Sequence, residues 1–204
     1  MKQTLNKLNE QNGFTLVEAI VVVAIIGIVA AFAVPSFQNV VKNQRMSGVS
    51  NEITTTIQTA RSEAIKRGTL VRVCFKEIAT GNLCRDITGP RTATSYIYAF
   101  TDLNNNQVFD SNEETLYQSK RLNQNVLFVH SSNLNEQFNN SILFNPKGRV
   151  LFDSTALLPN RDQREGLIAL CDDRKDTTLG FAIKVGVTGR VQIAGIKRTD
   201  NVTC

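Results

Sequence analysis

Residues 13–35 read Gly-Phe-Thr-Leu-Val-Glu-Ala-Ile-Val-Val-Val-Ala-Ile-Ile-Gly-Ile-Val-Ala-Ala-Phe-Ala-Val-Pro and contain the longest apolar run of the chain. From Ala19 to Val34 no side chain is charged or polar. As a helix, Phe14 to Val34 would extend about 31 Å, which matches the hydrocarbon core of a bilayer. A carboxylate at the centre of such a helix costs about 2.5–3.5 kcal/mol, so a partner is expected for the charge of Glu18 at its edge.

The residues before the apolar run set its orientation. Lys2 and Lys7 precede it, so the positive-inside rule places residues 1–13 in the cytoplasm and the rest of the chain outside. Two alternatives are a secretory signal peptide, cut after the Ala-Phe-Ala of residues 31–33, and a membrane anchor that is never processed. Glu18 inside the apolar region and the helical pattern that continues beyond residue 33 argue against the signal peptide.

The short basic leader, the Gly-Phe junction and the acidic residue five positions after the glycine resemble the type IV prepilin signal. The resemblance implies that a prepilin peptidase cuts between Gly13 and Phe14 and that the new amino group of Phe14 is N-methylated. It further implies that Glu18 neutralises the Phe14 amine of a neighbouring subunit and sets the assembly register. A buried carboxylate is tolerable when it meets such an opposite charge.

The helical pattern continues past the apolar run. Pro35 is expected to kink the helix rather than end it, because its ring displaces one backbone hydrogen bond. Between Ser36 and Arg67 the apolar residues Val49, Ile53, Ile57, Ala60 and Ala64 recur at helical spacing. Gly68 is the expected C-cap. We therefore predict a transmembrane half over residues 14–35 and an amphipathic half over residues 36–68.

Beyond Gly68 the sequence changes to short strands separated by turns that contain Gly, Pro or Asn. Strands without intervening helices predict an antiparallel sheet on which the amphipathic half of the helix packs. The prediction is an α+β domain over residues 69–204. The expected strands are 69–75, 95–101, 126–130, 142–144, 150–152, 167–170, 181–185 and 191–193, with a further strand-like segment at 115–118.

Three segments narrow the resemblance to the GspH/FimT/FimU family of pseudopilins and minor pilins. They are residues 60–74 at the end of the helix, the Phe-Asn-Pro-Lys-Gly-Arg turn at 144–149 and the Thr-Gly-Arg-Val turn at 188–191. The family resemblance implies a β-sandwich-like head on a long helix. It implies a single-pass protein of the inner membrane with a periplasmic domain, which helps to initiate or cap a type IV pilus. Its partners would be other major and minor pilins or pseudopilins. A type II secretion pseudopilus is the alternative machine.

Four cysteines fit a domain outside the cytoplasm, where disulfides persist. Four cysteines allow three pairings. We favour Cys74 with Cys84, which closes a local hairpin, and Cys171 with Cys204, which ties down the end of the chain. Buried free thiols are the alternative for a cytosolic domain.

The segment from Asp102 to Glu113 has the spacing of an EF-hand calcium loop. Asp102, Asn104, Asn106, Val108, Asp110 and Glu113 occupy the six ligand positions. However, Gln107 stands where the motif requires glycine, and the flanking segments look like strands. A hairpin loop whose Asp and Asn side chains cap the local backbone explains the same composition, so no cofactor is expected.

DNA is a second candidate partner. Some FimT-like minor pilins bind DNA through a Gly-Arg-x-Arg motif, and the matching residues here are Gly189, Arg190, Val191 and Gln192, so the second arginine is missing. Lys197 and Arg198 could supply positive charge nearby for phosphate contacts. The net charge of +5 allows an acidic partner but does not require one.

Catalysis has little support in the sequence. His130 is the single histidine and is followed by Ser131 and Ser132, but no second histidine or nucleophile motif completes a triad. A dyad of Cys74 with His130 is conceivable, yet a disulfide to Cys84 explains Cys74 more simply. We therefore predict a protein that is not an enzyme.

Overall fold

The computed structural model describes residues 14–76, 84, 91–92, 96–119, 122, 126–129, 141–151, 165–196 and 204. The chain separates into two compact units, Met1–Val41 and Lys42–Cys204. One helix, α1 (Leu16–Arg67), contributes to both units. The strands among the described residues all belong to the second unit.

In the first unit, the described side chains of α1 are exposed, apart from the half-buried Val41. Thr15 caps its start, since its hydroxyl oxygen accepts a hydrogen bond from the Glu18 backbone N–H over 3.2 Å. Pro35 lies inside α1, and the predicted kink there stays a prediction. Among the described residues, α1 is the helix whose length and composition suffice to cross a membrane.

In the second unit, α1 buries one face. The buried positions follow a helical period and include all five apolar residues that the sequence placed on this face, Val49, Ile53, Ile57, Ala60 and Ala64. Met46, which was not predicted, is buried as well. The helix ends after Arg67, where Gly68 adopts a φ of +65° and its N–H donates to the Ala64 oxygen over 3.0 Å. The predicted glycine C-cap is confirmed.

The strands form two antiparallel sheets of five strands each. In chain order they are β1 (Val71–Lys76), β2 (Arg91–Thr92), β3 (Tyr96–Thr101), β4 (Thr115–Gln118), β5 (Val126–Val129), β6 (Ser141–Phe144), β7 (Val150–Leu151), β8 (Glu165–Asp172), β9 (Phe181–Gly186) and β10 (Val191–Gly195). The first sheet has the order β4-β3-β1-β6-β7, and the second has β10-β9-β8-β5-β2.

The main hydrophobic core joins the buried face of α1 to both sheets. Alternate residues of several strands point into it, such as Val71, Val73 and Phe75 of β1 and Ile183 and Val185 of β9. Ile53 and Ile57 of α1 belong to the same cluster and are fully buried. The helix therefore completes the core that the sheets alone would leave open, and the predicted α+β class with antiparallel sheets is confirmed.

The predicted strands differ from the observed ones mainly at their ends. β8 runs from Glu165 to Asp172, four residues longer than its predicted span of 167–170. β2 was not predicted, because two residues are too short to show a period. His130 and Phe152, the predicted last residues of two strands, lie outside the described residues.

Candidate functional site

The start of α1 presents the residues expected to act in assembly. Phe14 is 82% exposed, and Glu18 lies exposed in the first turn of the helix, where a carboxylate is favoured by the helix dipole. No basic group forms an ion pair with Glu18 within the described residues. Gly13 lies outside them. An unpaired carboxylate beside a membrane-length apolar surface can bind a cation that another molecule supplies.

The apolar surface of α1 extends from the Glu18 turn toward the end of the first unit. Between Leu16 and Val40 its large apolar side chains are all more than two-fifths exposed, among them Val22 at 45% and Phe37 at 68%. A soluble domain rarely leaves so many neighbouring apolar groups in water. Lipid chains or the equivalent helices of other subunits can cover such a surface.

Two disulfides fasten the second unit, and both are the favoured pairs. Cys74 of β1 bonds to Cys84 across a Cα separation of 5.2 Å, and Cys171 of β8 bonds to Cys204 across 5.6 Å. The first disulfide lies in a small cluster with Phe100, against which Tyr98 and Phe109 pack. The Cys84 N–H donates to the Gln107 oxygen over 3.0 Å, so this disulfide also holds the loop of residues 102–113.

The acidic side chains of that loop bind other groups of the same protein. Asp102 is fully buried and forms an ion pair with Arg72 of β1, which is itself 5% exposed. The same guanidinium donates to Ser141 over 2.8 Å and to Asn105. Arg72 thus supplies the positive charge that a calcium ion would supply at the first position of an EF-hand.

The remaining side chains of the calcium pattern bind the loop itself. Glu113 accepts backbone N–H groups of Leu103 and Asp110 at 2.7 and 3.0 Å. The Asn104 and Asn106 amides each donate to Asp110 over 2.8 Å. Gln107 reaches a φ of +65° without being glycine, so the sharp turn forms despite the substitution. Among the described residues, no group of three or more His, Cys, Asp or Glu side chains is arranged to hold a metal ion.

Ion pairs join both ends of the amphipathic half of α1 to the sheets. At its start, Lys42 Nζ lies 2.9 Å from Asp173 Oδ2, and Arg174 Nη2 donates to Asn43 over 2.8 Å. The hydrogen bond from Lys42 lowers the pKa of the Asp173 carboxyl below its usual value of 3.8. At its end, Arg67 pairs with Glu63 and with Glu114.

The two glycine turns predicted from the sequence meet beside α1. A side-chain carbon on Gly189 would lie 2.4 Å from the Gly148 oxygen, and one on Gly148 would lie 2.6 Å from the end of Ile65. Both glycines have positive φ, +75° and +69°. Arg61 Nε donates to the Gly148 oxygen over 3.0 Å, and the Val150 N–H donates to the Val187 oxygen over 2.9 Å.

This meeting point gathers positive charge. Lys147 and Arg149 flank Gly148, Arg190 follows Gly189, and all three are exposed. Together with Arg61 they form what we call the basic turn surface, and neither turn contributes an acidic residue to it. With its amide oriented for hydrogen bonding, the Gln192 side-chain oxygen accepts from Arg190 Nε and Nη2, each at 3.1 Å. Gln192 occupies the position where the DNA motif has its second arginine, and its side chain orients Arg190.

Three predicted site residues, Gly13, Lys197 and Arg198, lie outside the described part of the chain. His130, Ser131 and Ser132, which the sequence did not support as a catalytic group, lie outside it too. The sequence prediction also missed Arg61, Lys147 and Arg149, whose proximity depends on two turns from different sheets. A signal was available, since each glycine of the two turns has a basic residue next to it.

A family model described as type II transport protein GspH matches residues 49–189, which is more than half of the chain. The chain belongs to the GspH family. A second model, the prokaryotic N-terminal methylation motif, matches residues 8–34 and so spans Gly13, Phe14 and Glu18. The motif and the exposed apolar helix together indicate a membrane-anchored pilin or pseudopilin, a structural class of protein.

Curated relatives of this GspH-family chain are fimbrial proteins. The type IV major fimbrial protein FimA of Dichelobacter nodosus is 42% identical over 73 residues, which cover 36% of this chain and 46% of the relative. A fimbrial protein of Pseudomonas aeruginosa is 34% identical over 95 residues, which cover 47% and 52%. The chain thus spans about half the length of these relatives.

A solved structure, the type IV minor pilin FimU of Pseudomonas aeruginosa, is also similar. It superposes with a TM-score of 0.49 at 13% identity, over 75% of this chain and 90% of that one.

Proposed function

We propose that this chain is a minor pilin or pseudopilin that helps to initiate or cap a filament at the inner membrane. The observation that carries the proposal is the GspH family match, which covers most of the strand-containing domain and the last part of α1, from residue 49 onward. The fimbrial relatives, by contrast, match less than half of the chain. A domain of the GspH type on a pilin-like helix supports a specialised subunit rather than the main subunit of the filament.

In this proposal the peptidase removes residues 1–13, and the new Phe14 amino group is methylated. The exposed apolar surface of α1 packs against the helices of other subunits, and Glu18 pairs with the amine of a neighbour. The pairing sets the register because an unpaired charge inside the bundle would be strongly unfavourable. The strand-containing domain lies in the periplasm, where its two disulfides are stable.

The test combines substitutions at two positions, Gly13 and Glu18, with a measurement of copy number. Gly13→Ala should leave the leader attached, as seen by mass spectrometry of the amino terminus. Glu18→Ala and Glu18→Gln should reach the membrane but be missing from sheared filaments, while Glu52→Gln serves as the control in the second unit. Quantitative immunoblots should find far fewer copies of this chain than of the main subunit. Normal filament incorporation of both Glu18 variants would contradict the register role.

The machine could also be a type II secretion pseudopilus. The description of the matching family names type II transport, which supports this alternative. The two machines differ in what is lost when the chain is deleted. Loss of surface filaments and of twitching would indicate a pilus, whereas retention of secreted enzymes inside the cell would indicate a secretion pseudopilus.

DNA binding is a second candidate function, and the basic turn surface favours it. Arg190 is exposed beside Lys147 and Arg149, so three cations lie within reach of one phosphate backbone. Arg190 matches the first arginine of the motif in FimT-like proteins, and the nearby lysine and arginine would compensate for the missing second one. Salt-dependent DNA binding that requires these three residues is the measurement that tests this function.

A further inference from the structure

One turn of α1, residues 47–51, is made of residues that form helices poorly. It reads Ser-Gly-Val-Ser-Asn, and all five rank below the strong helix formers, with glycine lowest. Glycine next to serine is also a common cause of helix kinks. The helix is nevertheless continuous through this turn. The sequence itself therefore gives these residues little helical stability, and contacts with the rest of the second unit must supply it.

Packing does not explain the glycine in this turn. Gly48 is exposed, and no described atom lies within 4 Å of the place where a side-chain carbon would stand. Its φ is not positive, so alanine would fit the backbone as well as glycine. In an exposed helix interior alanine is the more stabilising residue. Gly48 thus weakens the helix without a contact that requires it, as a bending point would.

A buried hydroxyl two residues later is unsatisfied. Ser50 is 2% exposed, and its Oγ forms no hydrogen bond within the part of the chain that the structure describes. A helical serine can donate to the carbonyl oxygen one turn earlier, a bond that bends the helix. If this turn opened, its freed carbonyl groups would become acceptors for the hydroxyl. Opening would therefore satisfy a group that the closed helix leaves unsatisfied.

Two polar contacts hold α1 just before this turn. Lys42 Nζ lies 2.9 Å from Asp173 Oδ2, and Arg174 Nη2 donates to Asn43 Oδ1 over 2.8 Å. Both connect the helix to the turn that follows β8, and we call them the latch. The side chains of Lys42 and Asp173 are 29% and 55% exposed. Because water and salt reach such a pair, the latch is weak.

The packing of α1 differs on the two sides of the glycine. Between the latch and Gly48, the buried side chain is Met46, which is 1% exposed. Methionine is unbranched and flexible, so it can stay in the core while its backbone shifts. After the glycine come Val49, Ile53 and Ile57, which are buried and stiff at χ1. The helix is therefore firmly packed after Gly48, and before it depends on one adaptable side chain and the latch.

We propose that α1 has a joint at residues 47–51, which opens when the latch is released. Opening breaks the helical hydrogen bonds of one turn and lets the helix bend there, while the core from Ile53 onward stays folded. A competing charge releases the latch, either an anion that binds Lys42 or a cation that binds Asp173. The inference goes beyond the proposed function, because it describes the single chain whether or not it enters a filament.

The test measures amide hydrogen exchange by NMR on the full chain in neutral detergent micelles. Lys42→Met breaks the ion pair and keeps the helix propensity, since lysine and methionine are nearly equal in it. Exchange at residues 48–51 should become about two- to fivefold faster, as expected for the loss of an exposed ion pair. Asp173→Ala removes the other partner and should give the same increase. Unchanged exchange in either variant would overturn the proposal.

Lys66→Met is the matched control for the latch variants. It removes the lysine of another exposed ion pair on α1, in which Lys66 Nζ lies 3.5 Å from Glu63 Oε1, and should leave exchange at residues 48–51 unchanged. The amide of Ile57 should respond to none of these substitutions, because the core stays folded. Faster exchange at Ile57 in Lys42→Met would indicate general destabilisation of the helix and would contradict a local joint.

Gly48→Ala tests the position of the joint. It should slow exchange at residues 48–51 by about fivefold, because alanine favours the closed helix. Combining it with Lys42→Met should bring exchange back to about the rate of the parent chain. Ser62→Ala is the control, since it raises helix propensity at another exposed position of α1 and should not slow exchange at residues 48–51. Equal slowing by the two alanine substitutions would place no joint at Gly48.

Salt tests the latch without a substitution. Raising the NaCl concentration from about 20 mM to about 500 mM should speed exchange at residues 48–51, relative to Ile57, by about twofold in the parent chain, because screening weakens the exposed pair. Lys42→Met should not respond, since its ion pair is already absent. A salt response of the same size in Lys42→Met would show that the pair does not control the opening and would overturn the proposal.

Discussion

Arg61 Nε donates a hydrogen bond of 3.0 Å to the main-chain oxygen of Gly148, a residue 87 positions further along the chain. Arg61 lies on α1 and Gly148 in the turn between β6 and β7, so the bond ties the helix to the first sheet. The turn between β9 and β10 packs on the same oxygen through Gly189. One backbone oxygen and one arginine thus join the helix to both sheets.

The close approach of the two turns predicts that Gly189 cannot carry a side chain. Gly189→Ala should lower the free energy of unfolding by about 2–4 kcal/mol, because alanine disfavours the φ of +75° and its carbon would meet the Gly148 oxygen at 2.4 Å. Gly195→Ala is the control, since its φ is not positive and nothing lies within 4 Å of the added carbon. Its effect should stay within about 0.5 kcal/mol. Equal denaturation midpoints for the two variants would contradict the prediction.

The buried ion pair of Arg72 with Asp102 should be strongly coupled. Arg72→Met alone should cost about 3–5 kcal/mol, because it leaves the fully buried Asp102 carboxylate without its cation. Adding Asp102→Leu should recover much of this loss. A double-mutant cycle by chemical denaturation should therefore give a coupling energy of about 2 kcal/mol or more.

The exposed pair of Arg67 with Glu114 provides the matched comparison for that cycle. Its side chains are 34% and 63% exposed, so the same pair of substitutions should give a coupling energy below about 1 kcal/mol. Similar coupling energies for the two pairs would show that burial does not strengthen the Arg72 interaction.

The contacts of Arg61 and Arg72 also show which parts of the structure the sequence does not predict. The buried face of α1 and nine of the strands were predictable, because their hydrophobic residues repeat with the period of the element. The partners of Arg72 and Arg61 were not predictable. Asp102 lies 30 residues after Arg72 in the sequence, and Gly148 lies 87 residues after Arg61. The spacing from Asp102 to Glu113 fits an EF-hand, and only the pairing of β1 with β3 and β6 brings Arg72 into that loop.

The contact of Lys42 with Asp173 predicts a pH dependence. The hydrogen bond from Lys42 holds the pKa of Asp173 below 3.8 in the folded protein. Because the folded pKa is lowered, the stabilisation is present above the unfolded pKa of about 3.9 and is lost as pH falls through the folded value. Lys42→Met should return the Asp173 pKa toward 3.8, as measured by NMR titration of the carboxyl carbon.

Asp176 is the internal reference for this titration. Its pKa is lowered by hydrogen bonds from Thr178 rather than by Lys42, so Lys42→Met should leave it unchanged. A Lys42→Met variant whose Asp173 titrates as in the parent chain would show that the ion pair is not formed in solution. A joint shift of both carboxyls would instead indicate a change in the whole β8–β9 loop.

The proposed DNA binding by the basic turn surface should weaken as the salt concentration rises. The logarithm of the binding constant should fall linearly with the logarithm of salt concentration, as measured by gel shift with the full chain in neutral detergent. Replacing Lys147, Arg149 and Arg190 with glutamine should make the slope less steep by about 0.9 for each phosphate contact removed. The change follows from fewer counterions released by the duplex.

A second triple variant separates local contacts from net charge. Lys42, Arg45 and Lys175 lie in neither glycine turn, and the first two precede Arg61 by at least 16 residues on α1, so their replacement by glutamine removes the same charge from other places. This control should keep the slope of the parent chain, because a distant exposed cation releases no counterion from the bound duplex. If both triple variants had the same salt dependence, the binding would be due to overall charge. If the parent chain showed no salt-dependent binding, the basic turn surface would have only its structural role beside Arg61.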